Sequence, residues 1–529
     1  VQKPASHKYR KFKKQQINLK TLDFFVYPPI IFEIPLYSKK KRRAYEMLKD
    51  WTLNAEYRQT LNNRVNSLTG DDQARFNLKY GELYQRMLQL DLDPAYEVMA
   101  PLYSNTGRPA ELQMEALRSY IAMLLQGEAS VTSWVEELRA DPLLAMACGL
   151  QPWSSPSVGS FYGISARLWG GEAPKAGELH SPDIFKKPKD KPKDGEKLVP
   201  KDTGAKCEAL AKSLMDGAFE PGGDHWLQLL FSALAVGPTA EMGIVDMGKA
   251  IVCGDGTAVH TTSSPNGKRV CEHKGTDEKC ACPRHYTDPL ASWGFDTDTK
   301  QFYFGYSAYN LTVRNKDYGL DIPILLSLNK AEQHDSVSLL EAFGKLDLYS
   351  PNISLYAFAG DSAHDNMATY KLLASRQTAQ AIDINKRRAH GEFNGDGNPV
   401  CEGGFEMAYD GSGQKSGRLK FRCPLVMGKC DSCGLWPCTN SRYGKVIHVP
   451  ATGDIRRYPK IKRESEEFKS IYKDRTSTER VNNRILNDYN LHSLKIRHKG
   501  RYAFYLALAG ICVHLDARVK AKRKQEEAA

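Results

Sequence analysis

The chain has 529 residues, 41% hydrophobic and 26% charged, the balance of a soluble globular protein with room for two to four domains. A formal charge of +12, with a pI near 8.9, favours a polyanionic partner, most simply nucleic acid. No run of about 18 apolar residues is evident, so no membrane span is expected, and twelve clustered cysteines without a secretory signal argue for reduced thiols or metal ligation over a disulfide framework.

Residues 1–70 read as a basic leader followed by a helix near Lys41–Asn66; Phe24–Tyr37 is apolar, but three prolines exclude a helix there. Basic runs stand at Lys8–Lys14, Lys39–Arg43, Lys186–Lys201 and Arg518–Lys524. Residues 71–175 read as all-helical. Leu117, Tyr120, Ile121 and Leu124 form a helical stripe in Pro109–Gln126, and Val131, Trp134, Val135 and Leu138 repeat it in Ser130–Ala140. Ser157 is the expected N-cap of Val158–Leu168. Short helices with tight turns fit a helix-turn-helix type of domain or a plain helical bundle. Residues 176–245 read as a Lys/Pro/Gly linker and a helix, Lys212–Ala235.

From residue 246 to 386 strands alternate with helices. The apolar runs are Ala250–Cys253, Phe302–Val313, Ile322–Leu328, Leu355–Ala359 and Gln380–Asn385, with helices at Glu332–Leu346 and Met367–Ala374. This pattern predicts an α/β sheet. Residues 387–461 are Gly-rich and Cys-bearing and read as an insertion. Residues 462–515 return to helix, first Glu464–Asn490 and then Tyr502–Leu515, before a basic tail, residues 516–529.

Asp255 and Asp361 each follow a short apolar run and a glycine. At the carboxyl ends of strands in an open sheet, two such acids collect a ligand, and a divalent cation relieves their repulsion. Asp365 is the rival to Asp361, though it also stands where an N-cap belongs. Tyr472, Arg475 and Glu479 are spaced i, i+3, i+7, which puts hydroxyl, guanidinium and carboxylate on one helical face. The set suits a metal-bound phosphodiester: Glu479 for the ion, Arg475 for a phosphate, Tyr472 as a donor.

Tyr472-Lys-Asp-Arg475-Thr-Ser-Thr-Glu479 resembles the Tyr-x2-Arg-x3-Glu signature of bacterial insertion-sequence transposases of the DDE type. Where that family carries a further basic residue this chain has Leu486, with Arg484 the nearest basic side chain. Gly360-Asp-Ser-Ala-His-Asp-Asn is similar to the family's Ala-Asp-x-x-Tyr-Asp-Ser turn, with His364 in place of Tyr. The runs Thr106-Gly-Arg-Pro-Ala, Met123-Leu-Leu-Gln-Gly, Glu137-Leu-Arg-Ala-Asp-Pro and Ser160-Phe-Tyr look like the helical domain ahead of the catalytic one. The resemblance implies an RNase H-like mixed sheet, interrupted by a β-rich insertion between Asp361 and Glu479 and preceded by a helix-turn-helix-like domain. It implies Asp255, Asp361 and Glu479 as catalytic ligands of Mg²⁺ or Mn²⁺, with Tyr472, Arg475 and Arg484 on DNA. The partners it implies are double-stranded DNA, as terminal inverted repeats and target, and a second copy of the chain, in a bacterial cytoplasm. An RNase H-like nuclease without strand transfer and an inactive DNA-binding remnant are the alternative readings.

Cys423-x6-Cys430-x2-Cys433-x4-Cys438 is a candidate structural zinc site, since four thiolates suit tetrahedral Zn²⁺. Cys271, Cys280 and Cys282, with His273 or His285, form a second and weaker candidate.

Overall fold

The computed structural model describes residues 48 and 51–528, except 105, 107, 152–153, 172–174, 176, 193–198, 274–279, 386–392, 395–397, 414–416, 451–454 and 458. The expected leader, its proline-rich apolar run and the first two basic runs lie outside the described residues, as do parts of the third basic run and the insertion.

Helices α1 (Asn54–Asn66), α2 (Gly70–Leu88), α3 (Asp93–Met99), α4 (Gln113–Leu125), α5 (Val131–Ala140), α6 (Pro142–Ala147) and α7 (Val158–Arg167) form the amino-terminal layer. The stripes read from the sequence are its core: Leu117, Tyr120, Ile121, Trp134, Val135 and Leu138 are buried. The caps are where residue chemistry puts them, with Ser130 and Ser157 accepting the amides of Ser133 and Ser160. The helix expected over Lys212–Ala235 is two helices, α8 (Thr203–Met215) and α9 (His225–Phe231), because Pro221-Gly-Gly breaks the run. A short α10 (Gly237–Glu241) follows.

The central sheet is mixed. Its strands are β1 (Ala250–His260), then, beyond a two-stranded ribbon of β2 (Lys268–Arg269) and β3 (Arg284–His285), β4 (Ser292–Asp296), β5 (Gln301–Asn315), β6 (Leu320–Lys330), β7 (Leu355–Gly360) and β8 (Ala379–Ile382). β5 pairs antiparallel with β4, β6 and β1; β1 pairs parallel with β7, and β7 with β8. Helices α11 (Asp335–Tyr349) and α12 (Met367–Ser375) are the crossovers between the later strands. Side chains alternate as a strand requires. Val252 and Phe358 point to α8, α11 and α12, while Cys253, Ala357 and Ala359 point to the opposite face, against Phe468 and Ile471.

The insertion holds a three-stranded antiparallel sheet, β9 (Ala408–Gly413), β10 (Arg418–Arg422) and β11 (Val446–Pro450). Beyond it the single helix expected over Glu464–Asn490 is α13 (Glu466–Lys473) and α14 (Thr476–Asn483), then a π-turn at Arg484–Asp488. Between α13 and α14 the amides of Asp474, Arg475, Ser477 and Thr478 bond three residues back, a tightened turn. Lys316 holds the buried Asp474 carboxylate at 3.0 Å at that turn.

The last helix does not stop at Leu515. α15 (Lys499–Ala528) carries the expected basic tail as helix. It is long and apolar enough to cross a membrane, but 94% of its apolar window is buried inside the protein, so it is a core helix. Phe504 and Tyr505 meet Tyr120 of α4, and the α15 core residues join those of α1–α7, β5 and β6 in one cluster. Arg518 is buried on α15 and donates to the carbonyls of Leu234, Ala235 and Gln89.

Candidate functional site

The site lies where the parallel half of the sheet ends. β1 leaves β7 after Cys253↔Ala359, yet stays paired with β5 as far as His260. Asp255 is therefore inside β1, opposite Asn310, and does not end it as the apolar run suggests. The antiparallel partner carries the strand on where the parallel one stops. Asp361 immediately follows β7, and Asp383 immediately follows β8. Three neighbouring strands thus deliver three acids to one sheet edge.

Gly254 and Gly256 flank Asp255 for steric reasons. A Cβ at 254 would stand 2.5 Å from the Tyr309 hydroxyl, and one at 256 would stand 2.6 Å from Asp335 Oδ1. The carboxylate of Asp335, in the first turn of α11, therefore packs against β1 beside Asp255. Sequence reading passed over Asp335, because an acid opening a helix reads as dipole compensation. It also passed over Asp383.

Asp361 is braced from behind. Its Oδ1 lies 2.7 Å from His364 Nδ1 and accepts the Ala363 amide at 3.0 Å. His364 Nε2 lies 2.8 Å from the Tyr309 hydroxyl, and both side chains are fully buried. Burial pulls the His364 imidazole down, but its bond to Asp361 and the charges of Asp361, Asp335 and Asp255 outweigh it and hold its pKa above the ordinary value. Burial, then the same three carboxylates, push the Tyr309 phenol well up. Asp365 has a different job: it is buried in a two-pronged pair with Arg456, both contacts 2.6 Å, and it is Asn366 that caps α12.

α14 is seated on the sheet by buried polar contacts. Thr312 meets Ser477 and Thr478, each at 2.8 Å, and Asn310 donates to Asn482 at 2.5 Å. Arg480 adds a fork onto Asp321 at 2.6 and 2.8 Å. This seat fixes Glu479, whose side chain is 51% exposed, 2.8 Å from Arg475. Another guanidinium nitrogen of Arg475 lies 3.8 Å from Asp255. Burial pulls the Arg475 pKa down, but Tyr472, Glu479, Asp255 and Asp361 together raise it. Tyr472 donates to Asp383 at 2.5 Å, while Arg475 lies over the Tyr472 ring, 5.8 Å from its centre. Burial, then that bond to Asp383, raise the Tyr472 phenol. Asp255, Tyr472, Arg475 and Glu479 thus meet, with Asp361 acting on Tyr472 and Arg475. Arg484 instead pairs with Asp516 of α15 at 2.6 Å.

The cysteines divide differently from their spacing. The ligating atoms of Cys271, His273, Cys280 and Cys282 all lie within 4.8 Å of one another, a set compatible with structural zinc. His273 Nε2 is 2.9 Å from Cys280 Sγ, so His273 is the fourth member and His285 belongs to β3. The Cys282 amide, then burial opposing it, then the neighbouring thiols and imidazole bring the Cys280 thiol down to about 7. Cys423, Cys430, Cys433 and Cys438 line one cavity in the insertion, but among the described residues only the Cys271 group closes to that 4.8 Å spacing.

The chain matches no protein-family model, no curated protein and no solved structure.

Proposed function

We propose that the chain is a DNA transposase of the DDE type, cleaving transposon ends and joining them to target DNA. The observation that carries this reading is that Arg475 reaches both Glu479 and Asp255, with Asp361 just past the end of β7, the strand paired with β1. An RNase H-like sheet is supported by the strand order β6-β5-β1-β7-β8, three strands antiparallel and the next two parallel. The interruption between β8 and α13 agrees with an insertion of the kind the resemblance implies.

The donor set is all carboxylate oxygen, which fits hard divalent cations such as Mg²⁺ or Mn²⁺. Two such ions, when bound, activate an attacking oxygen and stabilise the leaving one in in-line phosphoryl transfer. Asp255, Asp361 and Glu479 would hold them. His364 and Tyr309 keep the Asp361 carboxylate in one orientation from its buried side. Arg475 neutralises Glu479 and Asp255 in the free protein; a scissile phosphate offers it an equivalent two-pronged partner. Basic surface supplies the remaining affinity for double-stranded DNA, and a pair of chains would hold two ends.

The deciding experiment incubates the full chain with a labelled terminal repeat and a target plasmid in Mg²⁺. Nicking at the end followed by covalent joining is expected. Nicking without joining would favour a nuclease, and binding without either would favour an inactive remnant.

A further inference from the structure

A second cysteine cluster remains outside that chemistry. Among the described residues of the insertion, the apolar core at β9, β10 and β11 is one small cluster, Met407, Phe421 and Val449, with part-buried Phe393, Tyr409, Leu419 and Ile447 packed on it, a small core for an insertion of this length. Beside this core five thiols, Cys401, Cys423, Cys430, Cys433 and Cys438, line one cavity.

Cys401 comes to it from upstream. The turn Cys401-Glu-Gly-Gly-Phe closes on itself, with the Gly404 amide donating to Cys401 and the Cys401 amide to Phe405, and Gly404 has φ +78°. Gly403 then leaves room between two sulfurs: a Cβ there would stand 3.2 Å from Cys433 Sγ and 3.7 Å from Cys401 Sγ. Cys423, at the end of β10, is buried, and its amide is fixed on the Lys445 carbonyl. Burial, then Cys423 and Cys433 ahead of Cys401, push the Cys430 thiol up. Cys438 is the exposed member.

We propose that the insertion binds its own zinc ion through Cys401, Cys423, Cys430 and Cys433, with Cys438 outside the coordination shell. Four thiolates from two separate stretches pin the upstream turn to the loop after β10. This is the cross-link a sheet with so small a core lacks. The sulfurs stand wider apart than in the Cys271 cluster, so the proposal requires Cys430 and Cys433, both outside helix and strand, to turn inward when the ion binds. The assignment replaces the Cys438 ligand suggested by spacing with a residue more than twenty positions upstream of Cys423. It is independent of the catalytic reading.

The test is zinc content of the purified full chain by elemental analysis. The Cys401→Ser/Cys433→Ser variant should carry one zinc fewer per chain than wild type, and Cys438→Ser the same number as wild type. An unchanged zinc content in the first variant, or the loss of one zinc in the second, overturns the proposal. Because the first variant could misfold, native wild-type protein is also labelled with N-ethylmaleimide and mapped by mass spectrometry. Cys438 should label at once, and Cys401, Cys423, Cys430 and Cys433 only after a zinc chelator is added. Labelling of Cys401 as fast as Cys438 before chelation overturns the assignment whatever the variants do.

Discussion

Arg475 and Glu479 are ion-paired at 2.8 Å, and the same guanidinium, itself largely buried, reaches Asp255 at 3.8 Å. A guanidinium lodged between two acids cancels the repulsion that a divalent cation would otherwise relieve. If the proposed ions bind here, Arg475 competes with them for Glu479. Arg475→Ala should bind Mn²⁺ about 2- to 5-fold more tightly, the worth of a part-exposed ion pair. It should also cleave more slowly, on the order of 10²-fold, because the phosphate loses its positioning group. Titration calorimetry with Mn²⁺ checks the first half, and weaker Mn²⁺ binding by the variant would contradict the competition.

Glu479→Gln keeps the shape and removes the charge. Cleavage and joining should both vanish, while a gel shift with the terminal repeat stays near wild type, since affinity rests on basic surface. The acids at the start of α13 and just before it are turned to other partners: Glu467 accepts the Tyr356 hydroxyl, Glu466 pairs with Lys469 on the surface, and Glu464 is held by Lys462 and Asn398. A Glu479→Gln protein that still cuts at the wild-type rate would move the ligand role to Asp335.

Tyr472→Phe removes one hydroxyl whose partner is Asp383, not DNA, in the free protein. A hydrogen bond to a charged acceptor contributes about 1.5–3 kcal/mol. The expected loss is therefore one of stability, seen as a lower urea midpoint, with cleavage reduced by less than about one order of magnitude. A larger loss of cleavage at unchanged stability would return Tyr472 to a direct role on the phosphate.

How far the site was readable depends on whether local chemistry or distant pairing sets each feature. Ser130 and Ser157 act within one turn of helix and the Leu117–Leu124 stripe within two, so their positions are visible in the chain itself. Asp361 and Glu479 announce themselves by short motifs. The course of β1 past Asp255 is set by β5, some fifty residues away, and no local signal carries it. Asp335 and Asp383 reach the site only because the sheet order brings α11 and β8 there. The tight turn at Asp474–Arg475 is invisible in propensity, since neither Gly nor Pro marks it. Cysteine spacing alone does not rank the two clusters, since ligand sets are made by turns: among the described residues the tight set is Cys271, His273, Cys280 and Cys282, the one spacing marks as the weaker candidate.

The Cys271 cluster gives a separate outcome. Cys280→Ser removes the thiol that contacts His273 and neighbours Cys271 and Cys282, so it should lose one zinc per chain and lower the melting temperature. Adding a chelator should lower the wild-type melting temperature without lowering that of the variant by as much. Equal shifts in both would remove this cluster from the stability of the fold.

His514 lies fully buried on α15, its Nε2 donating to the Pro323 carbonyl at 2.7 Å and its Nδ1 accepting from the Thr239 hydroxyl at 2.8 Å. A carbonyl can only accept, so Pro323 fixes the neutral tautomer, and Thr239 in turn accepts from Arg518 at 2.9 Å. Burial, then the Arg518 charge, depress the imidazole from 6.5 to about 3. Between those two values the unfolded chain binds a proton here that the folded chain refuses. The stabilisation is fully present above the unfolded value and is lost as pH falls towards the folded one, at up to about 1.4 kcal/mol per pH unit. His514→Gln can keep both hydrogen bonds without titrating. Urea unfolding from pH 6.5 to 4 should show a shallower decline for the variant than for wild type, by up to about one proton of uptake. Parallel declines in the two proteins would show that His514 takes no part in the acid sensitivity of the α15 core.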